Sequence, residues 1–252
     1  MNILNFAHAG LLSVGAYVAL TVTQLGLSPW LAIPLSFVAG FVVGAIIEQT
    51  VMRWIYARSL DAILAAWGLG LIIVQLITIT YGRQIQFVET PLSGAISVFG
   101  ETYSLYRLFL VGLAVLIGLS LTFLLKGTRL GLNTRAVIMN DNLAQALGIN
   151  SALVRFLSFS VGSAVAAMAG ALITPLSAVN PNMGFPWLVS CFMIVLLSGS
   201  SLVSLALSAV ILGGAQVLVS TFISPVAGGM TIVVLAAIIL RILYFNKSSR
   251  LY

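Results

Sequence analysis

Few side chains in this sequence could do chemistry, and most of them share one interval. Lys126 to Arg155 is the long polar stretch of an otherwise apolar chain, with Lys126, Arg129, Arg135 and Arg155 set against one acid, Asp141. Within it, Asn140-Asp141-Asn142-Leu143-Ala144-Gln145-Ala146-Leu147-Gly148 reads as a short helix. Asn140 or Asp141 can cap its start, because a side-chain oxygen accepts the free N–H groups of a first turn. Gly148 suits the left-handed residue that ends a helix. Leu143, Ala144 and Leu147 are expected on one face, at i, i+1 and i+4. The chemistry this pattern suits is association, not catalysis. About thirty residues are more than a connector needs. Two readings stand at this point: a soluble protein docks on the apolar face, or the helix lies in the lipid interface.

Other polar groups are scattered through apolar runs. Ionisable groups at membrane depth are costly and often functional, and no apolar run here has an acid near its centre. Proton relays and cation coupling through a buried carboxylate are therefore poorly supported. Glu48 is expected to snorkel or to pair with Arg53. His8 could line a path, but it suits a structural bond near the start of the first run. Gln75 and Gln216 lie deep, and each amide must find a hydrogen-bond partner. Asn180-Pro181-Asn182 resembles half of a water-channel box, but such a channel needs two; a proline turn with local Asn bonds is the simpler reading. A phosphate-binding Gly-x-x-x-x-Gly-Lys-Ser/Thr loop, a His/Glu metal cluster and a Gly-x-Ser-x-Gly elbow are all missing from the sequence. If ATP is spent, another chain hydrolyses it.

The elements that carry these residues follow from composition. Of 252 residues, 61% are hydrophobic and 6% charged, with a mean hydropathy of +1.17. A soluble globule carries about 25% charged residues, so the class is an all-α, polytopic transmembrane helical bundle. Continuous apolar runs exclude the alternation of a β-barrel. The net charge of +6 is no nucleic-acid signal, because the basic residues flank apolar runs. Cys191 stands alone, so neither a disulfide framework nor a metal site is expected. A span needs about 20 apolar residues. About eight candidates run near 3–25, 29–52, 62–81, 104–125, 153–175, 185–199, 202–222 and 226–245. The sixth is short, and Ser198-Gly199-Ser200-Ser201 interrupts it. Arg53 and Arg58, the central loop, and Arg241, Lys247 and Arg250 fall on one side by span parity, which should be the cytoplasm. The 82–103 loop and the Asn180 turn fall on the other side. Gly162, Ala166 and Gly170, like Gly40 and Gly44, repeat at the spacing that lets helices approach closely in lipid.

Several of these stretches resemble a known family. Asn5-Phe6-Ala7-His8 with Gly15-Ala16-Tyr17 resembles the opening signature of the permease subunits of branched-chain amino-acid and urea ABC importers. Arg135-Ala136-Val137 through Asn142, Ala144 and Leu147-Gly148-Ile149 is similar to that family's cytoplasmic loop, which carries its coupling helix. Gly162-Ser163 to Ala169-Gly170, and Asn180-Pro181 with Gly184, also match, so the resemblance covers essentially the whole chain. Within the family, Ile47-Glu48-Gln49, residues 58–68, residues 130–137 and residues 190–195 look like the urea branch. Where the family continues Ala-His-Gly-Glu, this chain has Ala9-Gly10 after His8. The family also carries a further apolar helix ahead of the Asn-Phe-Ala-His motif, with which this sequence begins.

The resemblance implies one transmembrane permease domain over 1–252, of the type II ABC importer kind, with a coupling loop about 126–152. Arg135, Asn140, Asp141, Asn142, Leu143, Ala144, Leu147 and Gly148 would serve ATPase coupling. A paralogous permease subunit would complete a heterodimer. Two ATPase subunits would bind ATP and magnesium, and an extracytoplasmic solute-binding protein would deliver substrate. The chain itself would bind no cofactor or nucleic acid and would sit multi-pass in the bacterial inner membrane. Urea is the expected substrate, with branched-chain or other neutral amino acids as the alternative and passive conduction of a small neutral solute as the rival class. Asn5, His8, Trp67, Gln75, Asn180 and Gln216 are the candidate pathway residues.

Overall fold

A computed structural model of the chain describes residues 5–56, 58–98, 101–199 and 201–248. It divides into two compact units, Met1–Phe185 and Pro186–Tyr252. In the first unit, α1 (His8–Gln24) is followed by a short turn at Pro29–Leu31 and by α2 (Ala32–Ile47). A π-helical turn, Glu48–Met52, and α3 (Arg53–Ile55) prolong α2 into one apolar rod, Pro29–Ile55. Next come α4 (Ser59–Tyr81), the hairpin β1 (Ala95–Val98) and β2 (Glu101–Ser104), and α5 (Leu105–Gly127). The central loop holds α6 (Arg129–Met139) and α7 (Asp141–Ala146), and α8 (Ser151–Ile173) closes the unit's bundle. The chain then runs through α9 (Gly184–Ser198), α10 (Leu202–Phe222) and α11 (Pro225–Ser248).

Each of the eight predicted apolar runs is a helix, and among the described residues five helices are long and apolar enough to cross a membrane. Residues 3 and 4 of the first predicted run, and Ser200 and Arg250, lie outside the described residues. The interruption of the sixth run is built as expected: Gly199 takes φ 62°, and Ser201 caps α10 by accepting the N–H of Ser204 at 3.4 Å. The antiparallel β1–β2 hairpin was not legible in the pattern; it pairs Ala95 with Ser104 and Ile96 with Tyr103.

Helices α1, α2 and α8 form the centre of the first unit, and small residues set their separation. A Cβ on Gly15 would fall 1.6 Å from the Ala167 carbonyl oxygen, and one on Gly170 would fall 1.9 Å from that of Leu12. A Cβ on Gly40 would fall 2.5 Å from the Ala167 Cβ and 2.7 Å from the Ser163 carbonyl oxygen, and one on Gly44 would fall 2.4 Å from the Ser163 Cβ. Backbones in actual contact leave no room for a methyl group. In lipid, where apolar burial gives little drive between helices, such contact supplies the attraction. The expected Gly162–Ala166–Gly170 stripe therefore needs correcting. Gly162 faces open space, and the face of α8 that packs is Ser160, Ser163, Ala164, Ala167 and Gly170. A stripe drawn at strict fours drifts off the contact line, because 3.6 residues make a turn.

The two ends of this unit are chemically distinct. At one end, Gln24 donates to Gln86 across 3.0 Å, Gln86 and Val179 exchange backbone bonds, and the Tyr106 hydroxyl donates to the Leu172 carbonyl at 2.7 Å. At the other end, Arg155 stacks over Tyr56, close to Arg53 and Arg58 in the chain. Within this unit Arg53, Arg58 and Arg155 thus share one end, as span parity requires of them, and Arg83 lies toward the other. Glu48 departs from expectation: it is 4% exposed, so it neither snorkels nor makes an ion pair among the described residues. Its site in the π-helical turn carries it into the core beside Ile47 and Met52, with Arg53 and Arg155 near enough to act on its charge. Helix α5 buries only Tyr106 within the described structure; the rest of its surface suits lipid or a partner helix.

In the second unit, Leu212, Ile232 and Ala236 are buried between α10 and α11, with Met193 and Leu197 against them.

Replacing Gly15 or Gly170 with Ala is expected to force α1 and α8 apart at a cost of about 1–3 kcal/mol, whereas Gly162→Ala should be neutral or slightly stabilising. Thermal unfolding midpoints of the three variants in detergent check this.

Candidate functional site

The central loop is a succession of short helices, each started by its own cap. Thr128 accepts the N–H of Gly131 at 3.3 Å to begin α6, Asn140 accepts that of Leu143 at 3.1 Å to begin α7, and Asn150 accepts that of Leu153 at 3.0 Å to begin α8. Of the two predicted caps of α7, Asn140 is the one used; Asp141 is its first helical residue. Gly148 has φ 84°, and α7 ends with Gly148 N–H on Gln145 O and Ile149 N–H on Ala144 O, the paired bonds of a glycine-terminated helix. The residue pattern predicts one helix here. It misses α6, whose packing on α5 is tight enough that a Cβ on Gly131 would fall 2.1 Å from the Leu125 carbonyl.

The expected apolar face of α7 splits in two. Ala144 is 2% exposed and packs with Val137, Val154 and Ile149 in a small core beneath the loop. Leu143 and Leu147 point away from it, 58% and 73% exposed, and Met139 at the preceding corner is 87% exposed. Successive residues on a helix are 100° apart, so a neighbour of Leu143 can turn inward while Leu143 stays free. Arg135, Asn142 and Gly148 are also exposed. Met139 lies outside the predicted set: it ends α6, and the extended Asn140 separates it from α7, so no helical spacing pointed to it.

Asp141 holds α7 to the bundle. Its carboxylate pairs with Arg155 on α8, and the Arg155 guanidinium lies 5.4 Å from the centre of the Tyr56 ring, just beyond α3. The neighbouring Ser151 hydroxyl, although outside hydrogen-bond geometry, and then Gln145 and Arg155 hold the Asp141 carboxyl below its ordinary range. Asp141 was predicted as a site residue; Arg155 was seen only as a loop charge, because its partner lies across a turn that the sequence does not specify.

The predicted pathway residues divide between structure and cavity. Asn5 accepts the N–H of Ala7 at 3.0 Å and so shapes the turn into α1; His8, the first residue of α1, is exposed. Trp67 stands between Phe6 and Phe185, with ring centres 5.7 and 5.5 Å away. Gln216 is half-buried in the second unit. Gln75 and Asn180, in contrast, face one cleft of about 510 Å³. One wall is the α4 face bearing Leu71, Val74, Gln75 and Thr78, and the other is Asn180-Pro181-Asn182, with Arg83 completing the lining.

That second wall is not the simple outer turn expected of it. Val179 is bonded to the outer loop at Gln86, but Ser13 on α1 donates to the Pro181 carbonyl at 2.9 Å, and Gly184 touches Ala9. Phe185 then reaches Trp67, fourteen residues or about 21 Å of helix below Tyr81. The segment descends into the bundle. Its asparagines act locally as anticipated: Asn180 Oδ1 accepts the N–H of Asn182 at 3.1 Å. Among the described residues, no group of His, Cys, Asp and Glu could hold a metal ion.

A bundle of apolar helices, with a polar-lined cleft on one side and a rigid capped loop at its basic end, has the build of a membrane transport subunit. The sequence pattern of the family described as branched-chain amino acid transport system, permease component, matches residues 1–243. The chain belongs to that family. It is 31% identical over 239 residues to the probable branched-chain amino acid transport permease protein LivH of Methanocaldococcus jannaschii, covering 90% of this chain and 75% of that protein. It is 26% identical to the Escherichia coli K12 high-affinity permease protein LivH, covering 89% and 78%, and 27% identical to BraD of Pseudomonas aeruginosa, covering 93% and 84%. No solved structure matches it significantly. The chain is thus a multi-pass membrane permease of the ABC importer class, not an enzyme.

With a lowered carboxyl pKa, Asp141 stabilises the loop fully above the ordinary value of about 3.9, and that contribution is lost as pH falls through the lower folded value. Pepsin cleavage between residues 139 and 150 should therefore rise as the pH is taken from about 4.5 to about 2. Asp141→Asn should be cut readily across the whole range, and its neutral-pH sensitivity to other proteases should already be raised.

Proposed function

We propose that this chain is the permease subunit of an ATP-binding-cassette importer for branched-chain amino acids, driven through α7. The observation that carries the coupling reading is the exposure of Leu143 and Leu147 on a helix that is capped at both ends and pinned by Asp141 to Arg155, with Met139 exposed beside it at the end of α6. An exposed apolar row on a rigid element outside the spans is a surface for a soluble partner. Two ATPase subunits, carrying ATP and magnesium, would each seat such a helix in a groove. Arg135 and Asn142 would flank the contact. An inward push on α7 would pass through Arg155 to α8 and to Tyr56 beside α3 and α4.

A second permease subunit, a paralogue in a heterodimer, would complete the path, and the bare surface of α5 is available to it. An extracytoplasmic solute-binding protein would deliver the substrate. The substrate reading rests on the relatives, whose names specify branched-chain amino acids. Urea, expected from local likenesses such as Ile47-Glu48-Gln49, has no such support and gives way to the amino-acid alternative.

In vesicles holding the complete transporter, ATP-dependent uptake of leucine should exceed that of urea by at least tenfold; the reverse preference would restore urea. Leu143→Asp and Leu147→Asp change exposed side chains, so the permease should still fold and reach the membrane. Each should lose most ATPase co-purification and uptake. Retention of both would remove α7 as the coupling element.

A further inference from the structure

We propose that the cleft between α4 and the Asn180–Asn182 segment is a substrate subsite in which Arg83 receives the carboxylate of the transported amino acid. This deepens the amino-acid reading above and rests on it.

The geometry begins with the end of α4. Gly82, at φ 82°, stops the helix and redirects the chain, so that Arg83 contributes to the cleft that α4 walls. Arg83 makes no ion pair or hydrogen bond among the described residues, and its guanidinium is free to bind. From Arg83 the cleft follows the face Thr78, Gln75, Val74, Leu71, one side of the helix at i, i+3, i+4 and i+7. Leu71 to Tyr81 is about 15 Å of helix, half the thickness of a bilayer core. The cleft is therefore a descending groove, not a patch on the rim.

Its lining sorts by chemistry in the order that an apolar amino acid requires. A planar guanidinium pairs a carboxylate bidentately. The side-chain carbonyl oxygens of Gln75 and Asn182 are acceptors that an ammonium group needs. Leu71, Val74 and the Pro181 ring offer apolar surface to a branched side chain. Urea has no charge for Arg83 to hold, so this lining favours a zwitterion. At about 510 Å³ the cleft has the size of a small-molecule site. Its far wall is also fixed: Ser13 holds the Pro181 carbonyl, and Gln86 and Val179 clamp the strand above. A fixed wall keeps the polar groups in place without substrate, which lowers the ordering cost of binding.

The alternative use for an external arginine is to pair with an acid on the delivering protein. The two uses separate in proteoliposomes containing the full transporter. The measurements are leucine moved per ATP hydrolysed and the stimulation of ATPase activity by leucine-loaded binding protein. For Arg83→Gln we expect leucine per ATP to fall about tenfold, the loss of one charge-assisted contact, with stimulation unchanged. Arg83→Lys, which keeps the charge but not the fork, should recover part of the loss. Unchanged leucine per ATP in Arg83→Gln would overturn the subsite. A fall in stimulation matching the fall in uptake would also overturn it and assign Arg83 to protein docking. If the unaltered transporter hydrolyses ATP but moves no leucine, the amino-acid reading fails instead, and the Arg83 comparison is repeated with urea, where any effect of the substitution on solute moved per ATP would count against the carboxylate role.

Discussion

Everything else in the first unit depends on how closely α1, α2 and α8 approach one another. Gly15 against Ala167 and Gly170 against Leu12 bring main chain to main chain, and Gly40 and Gly44 make room for the Ala167 and Ser163 side chains. In lipid the apolar side chains gain little by turning inward, so dispersion between closely fitted backbones has to hold the helices. The same contacts fix where the moving parts can be. Ser13 on α1 holds Pro181, and Arg155 on α8 holds Asp141. One rigid centre thus anchors both the wall of the outer cleft and the loop at the basic end.

The loop is stiff for a different reason. It has little buried apolar surface beyond Val137, Ala144, Val154 and Ile149. Its shape comes instead from hydrogen bonds that stop and restart helices: Thr128, Asn140 and Asn150 each satisfy an N–H that a helix start leaves free, and Gly148 turns the chain between them. A loop of short capped helices can shift as a body without unravelling. Asp141 and Arg155 supply its main ionic tie to the bundle, and the Tyr56 face supports that arginine from the other side. Buried Glu48 adds a carboxyl group to the same neighbourhood, in the one π-helical turn among the described residues. A widened turn at a charged site is a common place for function to reside.

Family membership and geometry answer different questions about this chain. The match over residues 1–243 gives the class, a permease component of a transport system. It does not say which side chains act. The two features that suggest action, the Met139–Leu147 row and the Arg83 cleft, are both outside the small-residue core. They lie at opposite ends of the spans, as an importer driven from one side and loaded from the other would require.

The sequence by itself determined the membrane class, the eight helical runs, the capping residues and the gathering of Arg53, Arg58 and Arg155 at one end of the first unit. Each of these depends on composition or on neighbours a few positions away. Asn140 and Gly148 could be assigned because a cap and a left-handed turn are local demands on one backbone. Tertiary structure alone decided that Ala144 turns inward while Leu143 and Leu147 stay free, that Gly162 is off the packing line, and that Glu48 is buried. It also decided that Gln75, Arg83 and Asn180 meet in one cleft. Those outcomes depend on where distant segments come to rest against one another. In a chain with so few charges and so many interchangeable apolar residues, no local pattern encodes that.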